Sequence, residues 1–330
     1  MKNILNRLIN HEILSKEEAK NVLVNISNGN YNPSQIASFL TVYMMRSISI
    51  EELSGFREAL LELCVRVDLS AYNTIDLCGT GGDGKDTFNI STLASFVAAG
   101  AGIKVAKHGN YGVSSISGSS NVMENLGIKF SNDTDFLERS IDKAGICILH
   151  APLFHPAMKN VGPIRKELGA RTFFNMLGPM INPSFPKNQL VGVYNLELAR
   201  IYAYLYQSTD INFTILHSLD GYDEVSLTCP TKTITDKMEG ILKPEDFGVR
   251  QLLQSEIEGG KTIEESAQMF TNIISGKGTE AQNNVVCANA AMAIATVTKC
   301  SPLEGFELAK ESLFSGKGLA ALKTLQELSK

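Results

Sequence analysis

No run of apolar residues in this sequence is long enough to cross a bilayer. The longest, Val285 to Val297, is interrupted by Asn289 and falls short of the roughly 20 residues that a spanning helix needs. The first residues, Met1 to Arg7, lack the apolar core of a secretory signal. The expectation is a cytoplasmic protein with no membrane partner. No C-x-x-C pair occurs among the six cysteines (Cys64, Cys78, Cys147, Cys229, Cys287 and Cys300), which excludes the usual zinc and disulfide frames and leaves reduced thiols. Excess positive charge is also missing. A net charge of −5 argues against a general nucleic-acid binder. There is no internal repeat and no low-complexity segment. What is present is a chain of 330 residues, 44% of them hydrophobic. That length suggests about two domains with real cores.

One stretch organises the rest. A short apolar run ending at Cys78 reads as a buried strand, and four glycines follow within six residues, at Gly79, Gly81, Gly82 and Gly84. Such a loop can turn several N–H groups inward as an anion nest. Ser91 and Thr92 then open an apolar, helix-compatible segment, and a helix N-terminus adds further free N–H groups. Neither standard phosphate motif fits. Gly84-Lys85-Asp86 does not close a P-loop, and the G-x-G-x-x-G spacing of Gly79 to Gly84 carries two acids, Asp83 and Asp86. Acids beside a pyrophosphate suggest a ligand that arrives with a divalent metal. A ligand-free glycine turn is the bland alternative.

Taken in order, residues 1–68 read as four helices. Ser15-x-x-Glu18 and Ser49-x-x-Glu52 are capping boxes, and Asn32-Pro33 starts the helix between them. The stripe Ile36, Phe39, Leu40, Tyr43 and Met44 is either core or a subunit interface. From Thr74 strand-like runs alternate with helical ones, at 74–78, 103–107, 146–150, 189–194, 212–217 and 224–228. That alternation predicts an α/β domain with a mostly parallel central sheet flanked by helices, beside the N-terminal helical domain. Ligands of such sheets bind beyond the carboxyl ends of the strands. The Pro-punctuated segment 156–186 leaves the rhythm and is expected to pack with the first helices. The last third, from a capping box at Thr262-x-x-Glu265, is mainly helical.

Three further groups stand out. Lys107 to Ser120 forms a second loop, rich in glycine and hydroxyls, between a strand and a helix. His108 within it is more readily an orienting group than a base. Asp223-Glu224 sits just past a predicted strand end, where adjacent carboxylates suit Mg²⁺ or simply make a charged turn. Arg165 has a planar fork suited to a carboxylate, and Glu167, two residues away, would not face it on a helix.

Four ordered stretches together resemble the anthranilate phosphoribosyltransferases. They are Asp76 to Asp83 with Thr87 to Thr92, Lys107 to Asn110, Arg165 to Gly169 with Arg171 to Pro179, and Asp220 to Glu224. The resemblance implies transfer of the phosphoribosyl group of 5-phosphoribosyl 1-pyrophosphate to the amine of anthranilate, a step of tryptophan biosynthesis. It implies Mg²⁺, two ions per subunit, and a homodimer formed through the helical domain. That domain would be 1–70 with 160–186, and the donor-binding domain 71–159 with 187–330. Carried onto this sequence, Gly79, Gly82, Asp83, Thr87, Asn89, Ile90, Ser91 and Thr92 would hold the donor's pyrophosphate side. Lys107, His108, Gly109, Asn110, Tyr111, Gly112, Val113, Ser114, Ser115 and Ser119 would form a loop over the same substrate. Gly79, Asn110 and Arg165 would contact anthranilate, and Ser91, Asp223 and Glu224 would bind magnesium. No residue is implied as an obligatory base. Two positions depart from the family pattern: Tyr111 stands where arginine is usual, and Asn121 where aspartate is usual. Loss of opposite charges suggests a paired change. A pyrimidine nucleoside phosphorylase or a nucleic-acid-binding paralogue on the same fold is the alternative.

Overall fold

The boxes at the N-terminus cap the helices they predict. In the computed structural model, which describes residues 1–112 and 117–330, Ser15, Asn32 and Ser49 each accept from the backbone three residues on. The returning side chains of Glu18, Gln35 and Glu52 complete each box. The chain then runs α1 (Lys2–Ile9), α2 (Lys16–Ser27), α3 (Pro33–Met45), α4 (Ile50–Glu62), β1 (Ile75–Gly79), α5 (Ile90–Gly100), β2 (Val105–Gly109), α6 (Ser119–Asn125), α7 (Thr134–Ala144) and β3 (Ile146–His150). Short helices α8 (Ala151–Phe154), α9 (Gly162–Leu168) and α10 (Phe174–Leu177) follow. The order then resumes with β4 (Asn188–Gly192), α11 (Leu196–Gln207), β5 (Asn212–Ser218), β6 (Thr231–Thr235) and β7 (Glu239–Leu242). Four helices close the chain: α12 (Ile263–Ile274), α13 (Glu280–Thr298), α14 (Pro302–Phe314) and α15 (Lys317–Leu328).

Two compact units result, Met1–Arg66 with Ala151–Pro183, and Val67–His150 with Ser184–Lys330. The second part of the helical unit runs from Ala151 to Pro183, since the chain leaves the sheet directly from the end of β3. Within the helical unit, Phe39, Tyr43, Phe56 and Phe173 form one aromatic cluster, with Phe56 and Phe173 stacked at 4.5 Å. The α3 stripe is thus core, except that Met44 remains exposed.

Beneath the cluster lies a buried acid. The carboxylate of Glu52 accepts from Leu14 N–H at 3.0 Å, Ser49 N–H at 3.0 Å and Tyr43 Oη at 2.8 Å, and pairs with Arg46. Burial pushes its pKa up, but the hydrogen bonds from Arg46 and the two amides outweigh that and hold it below the ordinary 4.5. The group's folded pKa is lowered, so its stabilisation is complete above about 4.5 and is lost as the pH falls through the folded value. Tyr43→Phe, which deletes only one donor, should cost about 1 kcal/mol in a urea unfolding series, and no loss would remove the hydroxyl from this account.

The larger unit carries a sheet that has seven strands among the described residues, in the order β3-β2-β1-β4-β5-β6-β7. The first five are parallel, with Ile75 beside Asn188 and Gly79 beside Gly192. The segment 224–228, predicted as a strand, is irregular. Leu227 adopts a left-handed φ of 59°, and the N–H groups of Ser226 and Thr228 donate to the hydroxyls of Ser218 and Ser226, hydrogen bonds that a ladder would have used. The last two strands come later and run antiparallel as a hairpin, with Ser218 beside Thr231 and Thr231 beside Leu242. Residue 262 also behaves differently. Thr262 caps α12, but the carboxylate of Glu265 accepts from Lys261 N–H instead of completing the box.

The core lies between sheet and helices. α5 is apolar on all sides and buried, packed by α13 and α15. No single helix among the described residues is long and apolar enough to cross a membrane. The bent pair α13 and α14 matches only by composition, and most of α13 is buried in the core.

Candidate functional site

The chain order reverses between β1 and β4. β2 and β3 extend the sheet on one side of β1, and β4 and β5 on the other. Such a switch point opens a crevice at the carboxyl ends of the two strands. Both strands end there in glycine, and the reason is steric. A Cβ on Gly79 would overlap the carboxylate of Asp223, and one on Gly192 would overlap the Asp223 carbonyl oxygen. The 219–230 connection thus lies directly across the strand ends. A cleft at this point is lined by Gly79, Ser91, Gly192, Asp223, Glu224 and Asn289, among others.

The first loop folds over the same ground. Gly81, Gly82 and Gly84 all take left-handed φ values, 62°, 78° and 72°, which their lack of a side chain permits. Gly81 N–H donates to Asp223 Oδ2 at 2.7 Å, Thr80 N–H to Gly192 O at 2.9 Å and Lys85 N–H to Asp83 Oδ1 at 3.1 Å. The Lys85 ammonium rests 4.7 Å above the Tyr222 ring. α5 then begins with its N-terminus toward the acids, and Ser91 N–H donates to Glu224 Oε1 at 3.3 Å. Ile90 and Thr92 are buried, so their side chains serve the core.

The sequence prediction therefore assembles in part. Gly79, Ser91, Asp223 and Glu224 line one cleft, with Asp83 close enough to act on both other acids. Burial raises Asp223 to about 7, helped by the negative charge of Asp83. Glu224, which keeps some surface open, is raised by burial and then by Asp223 and Asp83. Asp83 is itself raised by burial. Lys107 is the cation beneath them. Its buried Nζ donates to Leu77 O at 2.6 Å. Burial pushes its pKa down, and its charge offsets the rise at Glu224 only in part. Crowded, partly buried carboxylates of this kind are a poor arrangement when left without compensating charge. Among the described residues no three His, Cys, Asp or Glu side chains close into a ready-made metal cage.

The second loop leaves β2 beside the first. His108 is buried, and its backbone N–H donates to Asp76 Oδ1 at 3.1 Å. Asn110 O accepts from Ser120 N–H at 3.1 Å and from Ser119 Oγ at 3.3 Å. The loops join where Asn89 Nδ2 donates to Ser117 O at 3.0 Å. Val113, Ser114 and Ser115 lie outside the described residues. Positions 111 and 121 make separate contacts. Tyr111 Oη donates to Glu124 at 3.4 Å, whereas Asn121 Oδ1 accepts from two backbone amides.

Arg165 belongs to the helical unit, on α9. Its Nη2 donates to Asn175 Oδ1 at 3.2 Å, and its guanidinium lies 5.3 Å from the Phe174 ring centroid. Burial lowers its pKa, and no salt bridge to it occurs among the described residues. A partly buried guanidinium held by a neutral amide and an aromatic face is fitted to receive an anion.

Two supports carried no plain sequence signal. Asn289 on α13 donates from Nδ2 to Val225 O at 2.9 Å and accepts Val225 N–H at 3.0 Å, which pins the acidic loop. Its one clue was its place inside an apolar run. Gly259 N–H donates to Asp86 O at 2.7 Å, and Glu258 bridges Thr87, so the far end of the first loop is held from residues 258–259.

Comparison with known proteins gives the family. Residues 2–64 match the glycosyl transferase family helical bundle domain, and residues 71–319 match the a/b domain of that family. The chain is 85% identical over 329 residues to an anthranilate phosphoribosyltransferase from Flavobacterium johnsoniae, and 82% identical to one from Flavobacterium psychrophilum, each match covering 100% of both chains. Among solved structures, anthranilate phosphoribosyltransferase from Thermus thermophilus superposes with a TM-score of 0.91 at 31% identity, over 98% of each chain. The Saccharomyces cerevisiae enzyme in complex with PRPP and Mg gives 0.90 at 28% identity, over 98% of this chain and 96% of that one.

Proposed function

The chain belongs to the anthranilate phosphoribosyltransferases, and from that membership we infer how its residues divide the work. The reaction joins the amine nitrogen of anthranilate to C1 of the phosphoribosyl group, and the C1–O bond to pyrophosphate breaks. The observation that carries the residue-level reading is the carboxylate cluster Asp83, Asp223 and Glu224, set across the strand ends and facing a glycine-rich loop and the start of α5.

In this reading Gly79, Gly82, Asp83 and Thr87, with the backbone of Asn89 to Thr92, cradle the donor's pyrophosphate. The N–H groups at the start of α5 face anionic oxygens. Lys107 to Gly112, Val113 to Ser115 and Ser119 complete the donor site. Asp223, Glu224 and the Ser91 hydroxyl would hold Mg²⁺, two ions per subunit. Bound magnesium would supply charge neutralisation to the leaving pyrophosphate. The amine is aromatic and neutral near pH 7, so no general base is assigned, and His108 is kept as an orienting residue. Gly79, Asn110 and Arg165 are the proposed contacts of anthranilate, Arg165 reading the carboxylate with its fork.

The reading places the enzyme in the cytoplasm as a homodimer associated through its helical unit. Ile9, Ile13, Met44 and Met45 expose apolar surface there, Met45 at 83%.

The test is direct. Purified protein with anthranilate, phosphoribosyl pyrophosphate and Mg²⁺ should lose anthranilate and release pyrophosphate in equal amounts. Both should stop when a chelator is added. Thymidine or uridine with inorganic phosphate should yield no free base. Turnover that persists in the chelator would remove the metal from this account, and phosphorolysis without reaction on anthranilate would overturn the assignment.

A further inference from the structure

We propose that Asn121 is a positioning residue for the phosphoribosyl donor, tying together the two sides of the second loop. The proposal rests on the reading that this loop contacts the donor. One atom makes the tie. Asn121 Oδ1 accepts from Gly112 N–H at 2.9 Å and from Gly118 N–H at 3.0 Å. The two backbones are in contact at this point. A Cβ on Gly118 would overlap Gly112 N and stand 2.6 Å from the carbonyl carbon of Tyr111. Asn110 O continues the collar by accepting from Ser119 and Ser120. Ser117 O, accepting from Asn89, joins it to the start of α5 and so to the first loop.

Tyr111 braces the outer side. Its ring meets the His150 ring edge-on at 4.8 Å, and His150 stacks on Phe130 at 4.3 Å. Ser120 Oγ fixes His150 through Nδ1 at 2.8 Å. Glu124 is the acidic group that faces this stack, through the Tyr111 hydroxyl. The brace is aromatic packing and the tie is a neutral acceptor, so neither needs the ion pair that the sequence pattern suggested. What position 121 must supply is an acceptor of the right reach with two free lone pairs. Asparagine and aspartate both supply it, and alanine supplies none.

The experiment compares Asn121→Ala, Asn121→Asp and Ser119→Ala, each with both KM values, kcat and the melting temperature. Loss of two amide hydrogen bonds should raise the donor KM of Asn121→Ala roughly tenfold. The anthranilate KM and the melting temperature should stay near wild type, and Asn121→Asp should restore the donor KM. Asn121→Ser, too short to reach both amides, carries the same expectation if the alanine variant does not accumulate. An unchanged donor KM in Asn121→Ala with a raised one in Ser119→Ala would leave the donor loop standing and overturn the positioning role. No donor effect in either variant would overturn the loop reading itself, and the proposal with it. A matched rise in both KM values with a lower melting temperature, or an Asn121→Asp variant as poor as alanine, would make Asn121 merely structural and end the proposal.

Discussion

Replacing Asp223 and Glu224 together by Asn and Gln should lower turnover by about a hundredfold or more, since metal stabilisation of a transition state is worth several kcal/mol. The magnesium concentration needed for half-maximal rate should rise in parallel. The fold should survive, because an amide oxygen at 223 can still accept from Gly81 N–H. The electrostatics give this prediction a second readout. Both acids have folded pKa values above their ordinary ones, Asp223 reaching about 7. Such a group costs stability once the pH passes its unfolded value, and the cost grows until the folded value is reached. At neutral pH without metal, the neutral variant should therefore melt no lower than the native protein. An unchanged magnesium titration, with turnover intact, would separate these carboxylates from the metal.

Arg165→Ala should raise the anthranilate KM roughly tenfold or more, the consequence of losing a charge-assisted hydrogen bond worth about 1.5–3 kcal/mol. The donor KM should change little. Arg165 carries this expectation because its guanidinium is partly buried with a neutral amide and an aromatic ring as its recorded partners. Arg165→Lys should recover only part of the loss, since an ammonium cannot make the two-pronged contact. A donor KM that rises in place of the anthranilate KM would move Arg165 to the phosphate side.

The parts of the site that were legible in the sequence share a cause: their chemistry is local. Four glycines in six residues force a tight loop wherever they stand, and the apolar segment after Ser91 makes a buried helix almost unavoidable. The parallel strands show as apolar runs for the same reason. Position 224–228 misled because its alternation imitates a strand, while the left-handed turn at Leu227 and the Asn289 clasp depend on residues far away in sequence. Lys107 was legible as a point charge beside a glycine loop, but the hydrogen bond of its buried Nζ to the Leu77 carbonyl was not, because it depends on a strand 30 residues earlier. At Tyr111 and Asn121 the departure from the family pattern was legible as a loss of charge, whereas the two amides that Asn121 Oδ1 accepts from were not, because they belong to backbone on the far side of the loop. Gly192 and Gly259 gave no signal at all, since close approach to a distant segment leaves no trace in the neighbouring residues.

The claim that bears most weight is that the acids at the β1–β4 switch point hold the metal that accompanies the donor. A crystal structure with phosphoribosyl pyrophosphate and Mn²⁺, read by manganese anomalous scattering, tests it most directly. The account predicts a peak bonded to carboxylate oxygens of Asp223 or Glu224 and to donor oxygens. Manganese bound to the donor with neither acid among its ligands would contradict it.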